Sequence, residues 1–203
     1  MYMTNSILNA DYVAEFGFPQ ITGANQNVDF TLVAPDLWFV SNIFDTESLN
    51  WMQGLMFDLN TVYEVTRPDR RLMMSDCNAL QHIHRIGLSL IPTLNDVVNQ
   101  KLNLMTSKYW LDLPQFGCPK HHDSQTIIVT LQVYIDMTWD PAIPGDLRPR
   151  GAQFMHVDPP VEAPTKVNGG YLNLNFDRKK HEVLPSMGSR CSVAFQYNLS
   201  TDS

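Results

Sequence analysis

The run Thr126–Ile135 constrains this chain more than any other stretch. Ile127, Val129, Leu131, Val133 and Ile135 alternate with Thr130, Gln132 and Tyr134. Successive residues of a strand point to opposite faces, so one face here is wholly apolar and the other is polar but uncharged. The polar face can meet solvent or line a cavity. The apolar face is expected to pack against helices while the other lines a cavity. Further strand-like runs, Ala152–Val157, Gly170–Asn175 and Arg190–Tyr197, follow with turn residues between them. Short strands at such spacing indicate an antiparallel sandwich or barrel, and a jelly roll of the cupin-like kind fits the strand count.

The N-terminal half reads differently. From Met1 to about Asp36, turn residues (Gly17, Pro19, Gly23) break short apolar runs and leave room for a strand or two. Leu37-Trp38-Phe39-Val40 is a short apolar strand. Asp45-Thr46-Glu47-Ser48 opens an amphipathic helix whose Leu49, Met52, Leu55, Met56 and Leu59 share a face. A second helix is expected from Ser75 or Asp76, either a good N-cap, with Leu80, Ile83, Ile86 and Leu90 on its buried side. Pro92 ends or kinks it, and a continuation carries Leu94, Val97, Val98, Leu102 and Leu104. Thr138–Arg150, with three prolines and one glycine, reads as a long loop bordering a pocket. The expectation is one mainly β, α+β domain over 1–203, in which strands and helices of 1–108 support a core at 109–198.

A chain of 203 residues can bury one substantial core. Its 44% apolar and 17% charged content is that of a folded protein. A net charge of −7 argues against general nucleic-acid binding, which needs clustered cations. The basic clusters, Arg70-Arg71 and Arg178-Lys179-Lys180, read as solvated loops. Cys77, Cys118 and Cys191 are odd in number and widely spaced, so neither a disulfide framework nor a zinc site is suggested. No stretch resembles a signal peptide or a membrane span. A soluble, cytoplasmic protein is the default expectation.

Chemistry concentrates in Lys120-His121-His122-Asp123-Ser124. On an extended strand His121 and Asp123 share a face, which supplies two of the three ligands of a facial two-His, one-carboxylate metal site. Such a site keeps coordination positions open and suits non-haem Fe(II). His181, 58 residues after Asp123, can return on a later strand as the third ligand. Arg190-Cys191-Ser192 then puts a guanidinium and a hydroxyl on one strand face, as a dicarboxylic co-substrate requires. His122 points away from its neighbours and takes no metal role. His156-Val157-Asp158 repeats the His-x-Asp pattern, but only 22 residues lie between Asp158 and His181, too few for the intervening strands of a jelly roll. His82 and His84 lie in a helical pattern, where i and i+2 do not share a face.

The order of His121-x-Asp123, a strand, Gly151-Ala152-Gln153-Phe154, His181 and Arg190-x-Ser192 resembles the Fe(II)/2-oxoglutarate-dependent oxygenases. Within them it is most similar to small bacterial and phage members related to prolyl hydroxylases. Trp110–Phe116 and Gly170–Asn175 add to the likeness, which spans roughly Tyr109 to Asn198. The resemblance implies a double-stranded β-helix holding iron through His121, Asp123 and His181. It implies 2-oxoglutarate as co-substrate, its far carboxylate held by Arg190 and Ser192 with Tyr109 as a further hydrogen bond. It also implies O2-dependent hydroxylation of a peptide or protein residue or a small molecule, with release of succinate and CO2. Prolyl hydroxylases commonly meet that carboxylate with a lysine, so Arg190 departs from their pattern. Gln132, Tyr134 and His156 are candidate substrate-pocket residues. Two other functions stay open: a jelly-roll binding protein with a vestigial metal site, and a cupin dioxygenase that uses no 2-oxoglutarate. The intact ligand set with Arg190 favours the oxygenase. The substrate and the oligomeric state are not legible.

Overall fold

A computed structural model describes residues 28–57, 63–74, 78–124, 126–175 and 179–200. β1 (Asp29–Ala34) turns back into β2 (Leu37–Ser41), the short apolar strand expected from Leu37–Val40. Helix α1 (Thr46–Gly54) follows. Its N-cap is Asp45, whose side chain accepts a 2.7 Å hydrogen bond from the Ser48 N–H and satisfies one of the free amide donors at the helix start. Met52 and Leu55 are buried, with Leu49 and Met56 packed beside them; Leu59 lies outside the described residues. β3 (Tyr63–Arg67) and β4 (Arg70–Met73) form a hairpin.

Helix α2 (Asn78–Ser89) buries Leu80, Ile83 and Ile86 as the spacing required. Its expected caps Ser75 and Asp76, and Cys77, lie outside the described residues. Pro92 starts a new helix, α3 (Ile91–Val98), where a proline in the first turn forfeits no intrahelical bond. The expected continuation through Leu104 does not occur. Asn99 takes a left-handed conformation (φ 52°), and the Asn95 side chain accepts from the Leu102 N–H. From Leu102 the chain is strand β5 (Leu102–Asp112). β5 therefore begins before residue 109, and β1 to β4 belong to the same sheet.

The remaining strands are β6 (Cys118–His121), β7 (Val129–Thr138), β8 (Gln153–Phe154), β9 (Val161–Glu162), β10 (Gly169–Leu174), β11 (His181–Val183) and β12 (Ser189–Leu199). They build an eight-stranded sheet, ordered β1-β2-β10-β7-β12-β5-β4-β3, and a four-stranded sheet, β6-β11-β8-β9. This is the antiparallel double-stranded β-helix, or jelly roll, with supporting helices. β7 lies between β10 and β12. Its Val129, Leu131, Val133 and Ile135 meet the helices, together with Cys191, Val193, Phe195 and Tyr197 of β12. Fully burying each large side chain of that set stabilises the fold by about 1.5–3 kcal/mol. Gly87 lets α2 lie directly on this face. A Cβ there would stand 2.5 Å from the Phe195 ring, and the Tyr197 hydroxyl donates to the Gly87 carbonyl. A second apolar cluster, Leu37, Tyr134, Ala152, Phe154, Ala163 and Tyr171, fills the space between the sheets. Among the described residues no helix is long and apolar enough to cross a membrane.

Candidate metal centre

The smaller sheet brings its two histidines together by register. His181 of β11 pairs with His121 of β6 across the ladder, and their rings are 4.4 Å apart. Asp123, just beyond β6, turns its Oδ1 to within 3.9 Å of His181 Nε2. The donor atoms of His121, Asp123 and His181 all lie within 4.8 Å of one another.

Each donor is oriented by what its other atom touches. Asp123 Oδ2 accepts from Thr130 Oγ1 at 2.9 Å and from Asn175 Nδ2 at 3.3 Å, which leaves Oδ1 on the histidine side. Asn173 in turn holds Asn175 through a side-chain hydrogen bond. His121 Nδ1 lies 2.8 Å from the Pro119 carbonyl oxygen. A proton on Nδ1 donated there leaves Nε2 as a lone-pair donor, the usual way a tautomer is fixed for a metal. Cys118 Sγ stands 3.5 Å from the same nitrogen. That contact raises His121 to about 9, with the Pro119 carbonyl adding to it against the opposing effect of burial. The same contact holds the Cys118 thiol below its ordinary value. Burial lowers His181, and Asp123 opposes that shift. A hydrogen bond from the buried His181 ring to the Lys179 backbone also opposes it. Two imidazoles and one carboxylate, with the outer atoms of Asp123 and His121 occupied, fit a divalent ion of non-haem iron type.

The three residues line a cavity of about 200 Å³ with Arg70, Lys108, Trp110, Gln132, Tyr171 and Arg190 among its walls. Alternation along β12 sends Arg190, Ser192, Ala194 and Gln196 to this side and Cys191 to the helix side, as expected for Cys191. Arg190 is only 4% exposed. Its Nε and Nη2 donate to Asp112 Oδ2 at 3.2 and 2.6 Å, and its Nη1 donates to the Arg150 carbonyl. Asp112 also receives Arg70, through Nε at 2.6 Å and Nη2 at 3.1 Å. Arg70 is therefore no solvated loop residue: it stacks over Trp110 and Phe116 at 4.2 and 4.0 Å. Lys179 corrects the same expectation, because its amine is buried against Asp36 at 2.7 Å.

Four candidates stand elsewhere than expected. Tyr109 faces the helices: the alternation of β5 directs Lys108, Trp110 and Asp112 to the cavity, while the Tyr109 hydroxyl donates to the Met52 carbonyl at 2.6 Å. Ser192 is fully buried beneath Gln132, whose Nε2 donates to its Oγ at 3.1 Å; the Tyr171 hydroxyl donates to Gln132 Oε1. Tyr134 is a core residue under Arg190, its hydroxyl accepting from the Ala152 N–H. His156 lines a different cavity, with Asp36, Lys120 and Lys179. His82 is buried against Trp51, and His84 meets Ser107 on β5. Sequence reasoning missed Arg70 and Lys108 as site residues, while Thr130 stands on the strand face expected to line a cavity. Burial lowers the Lys108 amine, and Asp123 opposes that shift. Among the described residues no carboxylate pairs with it.

Neither a family model nor a curated protein sequence matches this chain. Solved structures do. A prolyl hydroxylase from Trichoplax adhaerens, in complex with a hypoxia-inducible-factor peptide fragment, is similar over 80% of this chain and 83% of its own (TM-score 0.63, 16% identity). HygX from Streptomyces hygroscopicus, with nickel and 2-oxoglutarate bound, is similar over 82% and 84% (TM-score 0.60, 14% identity). A 2OG-Fe(II) oxygenase family oxidoreductase from Burkholderia pseudomallei is similar over 97% and 93% (TM-score 0.60, 12% identity). The fold is that of the 2-oxoglutarate- and iron-dependent oxygenases. Within this oxygenase fold the His121, Asp123 and His181 group sits between the two sheets, where β6 and β11 pair.

Proposed function

We propose that this chain is a non-haem Fe(II), 2-oxoglutarate-dependent dioxygenase that hydroxylates an unactivated C–H bond of a peptide or protein residue or a small molecule. The observation that carries this reading is the His121, Asp123 and His181 donor set, gathered within 4.8 Å and tied from behind. These three residues would hold the ion. When bound, iron and 2-oxoglutarate supply activation of O2 and oxidative decarboxylation to succinate and CO2.

The protein's share is placement. Thr130 and Asn175 hold Asp123 with one oxygen directed at the histidines, and Pro119 holds His121. A far carboxylate of the co-substrate would meet a wall of Arg70, Lys108 and Arg190, in which the two guanidinium groups share Asp112. Arg190 carries five N–H donors. Its bonds to Asp112 and the Arg150 carbonyl leave one N–H on each terminal nitrogen, and Lys108 adds an unpaired amine. Ser192 acts through Gln132, which it positions on that wall. Asp112 keeps the two guanidinium groups from repelling each other, so the wall presents charge in a fixed arrangement. HygX holds 2-oxoglutarate on this fold, and the Trichoplax enzyme is complexed with a peptide fragment; both support the class of ligands proposed.

Anaerobic titration of the Fe(II)-loaded protein with 2-oxoglutarate tests the reading. A saturable visible charge-transfer band of the chelate is expected. One bound iron per chain without that band would overturn the 2-oxoglutarate part, and failure to bind iron would overturn the whole.

A further inference from the structure

The cavity that holds His121, Asp123 and His181 measures about 200 Å³. Sites that enclose a small molecule usually span about 300–1,000 Å³. An ion and a small acid therefore fill this one, and the body of a larger substrate lies outside it. A second cavity, of about 630 Å³, is built on the same two strands. Consecutive residues serve the two: His121 and His181 line the metal side, while Lys120 and Lys180 line the larger cavity. Elsewhere a single ring lies between them. Phe154 stands 5.8 Å from the His181 ring and 5.9 Å from that of His156, which also lines the larger cavity.

Ala34, Pro35, Met155 and Val157 give the larger cavity an apolar wall. One side is fixed by Lys179, whose amine donates to Asp36 at 2.7 Å and to the Pro35 carbonyl at 3.1 Å. That bond ties the β1–β2 turn to the segment entering β11 and neutralises Asp36. Lys120 and Lys180 differ. Both are exposed, and among the described residues neither has a carboxylate partner. The lining carries three amines against two carboxylates, Asp36 and Asp158, in a chain whose net charge is −7. Two ammonium groups beside an apolar wall suit anionic oxygens on an apolar body.

We propose that the larger cavity holds the primary substrate, and that this substrate carries a carboxylate or phosphate group bound by Lys120 and Lys180. The inference rests on the oxygenase reading above and narrows its substrate to an anionic class. It gives His156 the substrate-side place expected of it, on this cavity instead of the metal one. An ammonium group acts as a compact point charge, so the lysines select charge over planar shape. The same charges disfavour a cationic substrate. Because both amines are exposed, the attraction weakens as salt rises.

Fluorescence polarisation of a hexaglutamate peptide carrying a neutral dye, on the full chain with chelator present, tests the recognition step without reference to turnover. Saturable binding is expected, with hexaglutamine weaker by about tenfold. Replacing both amines, Lys120→Ala with Lys180→Ala, is expected to weaken hexaglutamate binding by about tenfold. Lys101→Ala, which removes an exposed amine outside the cavity, is expected to leave it unchanged. Competition then names the source of the anion, and each result upholds the proposal. N-acetylglutamate displaces the peptide if a free acid suffices, inorganic phosphate displaces it if phosphate is preferred, and neither does if a peptide acid is required. No hexaglutamate binding, equal binding of hexaglutamine, or full binding by the double variant would overturn the anionic class. With Co(II) at the metal centre, the bound peptide's proton resonances are expected to shift or broaden, and His181→Ala to abolish that effect. Lysine-dependent binding without a cobalt effect would overturn the substrate role and leave the metal centre standing. No cobalt binding at all would overturn the metal-centre reading and the substrate role with it, while the polarisation titration, run without metal, still reports on the anion site.

Discussion

Asp123 divides its work between two oxygens. One is held by Thr130 and Asn175, and the other faces His181. Removing groups that orient a ligand typically costs 10–100-fold in metal affinity. Thr130→Val and Asn175→Ala are each expected to weaken binding of Fe(II) or Co(II) by about that factor, measured by titration against a competing chelator; unchanged affinity would show that the carboxylate needs no support. Asp112 shows a different logic. It is 2% exposed and sits between two guanidinium groups. Breaking a buried ion pair from one side costs about 3–5 kcal/mol because the partner charge is stranded. Asp112→Asn is expected to lose about that much stability in urea unfolding, and a change below about 1 kcal/mol would mean that water already screens the arginines. The His121, Asp123 and His181 set was legible from residue type and order, although Asp123 lies just beyond β6 and reaches His181 from there rather than from a strand face. Tyr109 was misplaced because nothing in its local sequence tells which face of β5 meets the helices, and an error of one residue exchanges it for Lys108 or Trp110. Arg70 was invisible for another reason. Its partner Asp112 is 42 residues away, and only β4 pairing with β5 brings them together.

Elements carry the next set of consequences. Helix α2 touches β12 through Gly87, so Gly87→Ala sets two effects against each other. Alanine gains about 1 kcal/mol of helix propensity over glycine. The new methyl meets the Phe195 ring at 2.5 Å and Leu104 Cδ2 at 2.9 Å in a packed core, where overpacking costs about 1–3 kcal/mol. Net destabilisation is expected, read as a lowered urea midpoint; a raised midpoint would show that the helix can shift. The same helix holds His82, which is pushed down to about 4, first by burial and then by the neighbouring charge of Arg85. The unfolded chain takes up the proton near pH 6.5, before the folded one does. This group's contribution to stability is therefore fully present above about pH 6.5, falls as pH drops toward about 4, and is flat below. With chelator present, His82→Gln is expected to flatten the pH dependence of stability across that window by about one proton; parallel curves for the variant and the wild type would refute it. The helices were legible because their apolar spacing is local. The start of β5 was not: Leu102 and Leu104 fit a strand as well as the tail of a helix, and the deciding event is the left-handed Asn99 with its Asn95 bond. Of the two-residue strands, β8 falls within the expected run Ala152–Val157, whereas β9 exists only through its partner and no sequence pattern marks it.

Across the whole molecule ladder length is unevenly distributed, and the candidate metal centre lies on the sheet with the shorter strands. The large sheet is anchored by the helix-facing core and by the long ladders of β12 with β5 and β7. The small sheet consists of strands of two to four residues, with few backbone bonds between them. Its link to the large sheet at the centre is polar: Asp123 reaches Thr130 of β7 and Asn175 at the end of β10. An ion bound by His121, Asp123 and His181 would join β6, β11 and the segment after β6 through a single point. Binding to the folded state alone adds about 2.7 kcal/mol at a hundredfold excess over Kd. For a domain of this size each kcal/mol moves Tm by about 2–4 °C, so saturation with Co(II) is expected to raise Tm by about 5–10 °C. His181→Ala should abolish the shift. The gain should also be local, because small elements with few buried contacts open at free energies well below global unfolding. Hydrogen exchange is expected to slow on metal binding in Cys118–His121 and His181–Val183, with little change in Leu131–Ile135, which already opens only when the whole molecule unfolds. Equal protection in both regions would mean that the small sheet is as firmly held as the core without the ion, and that the ion serves chemistry alone.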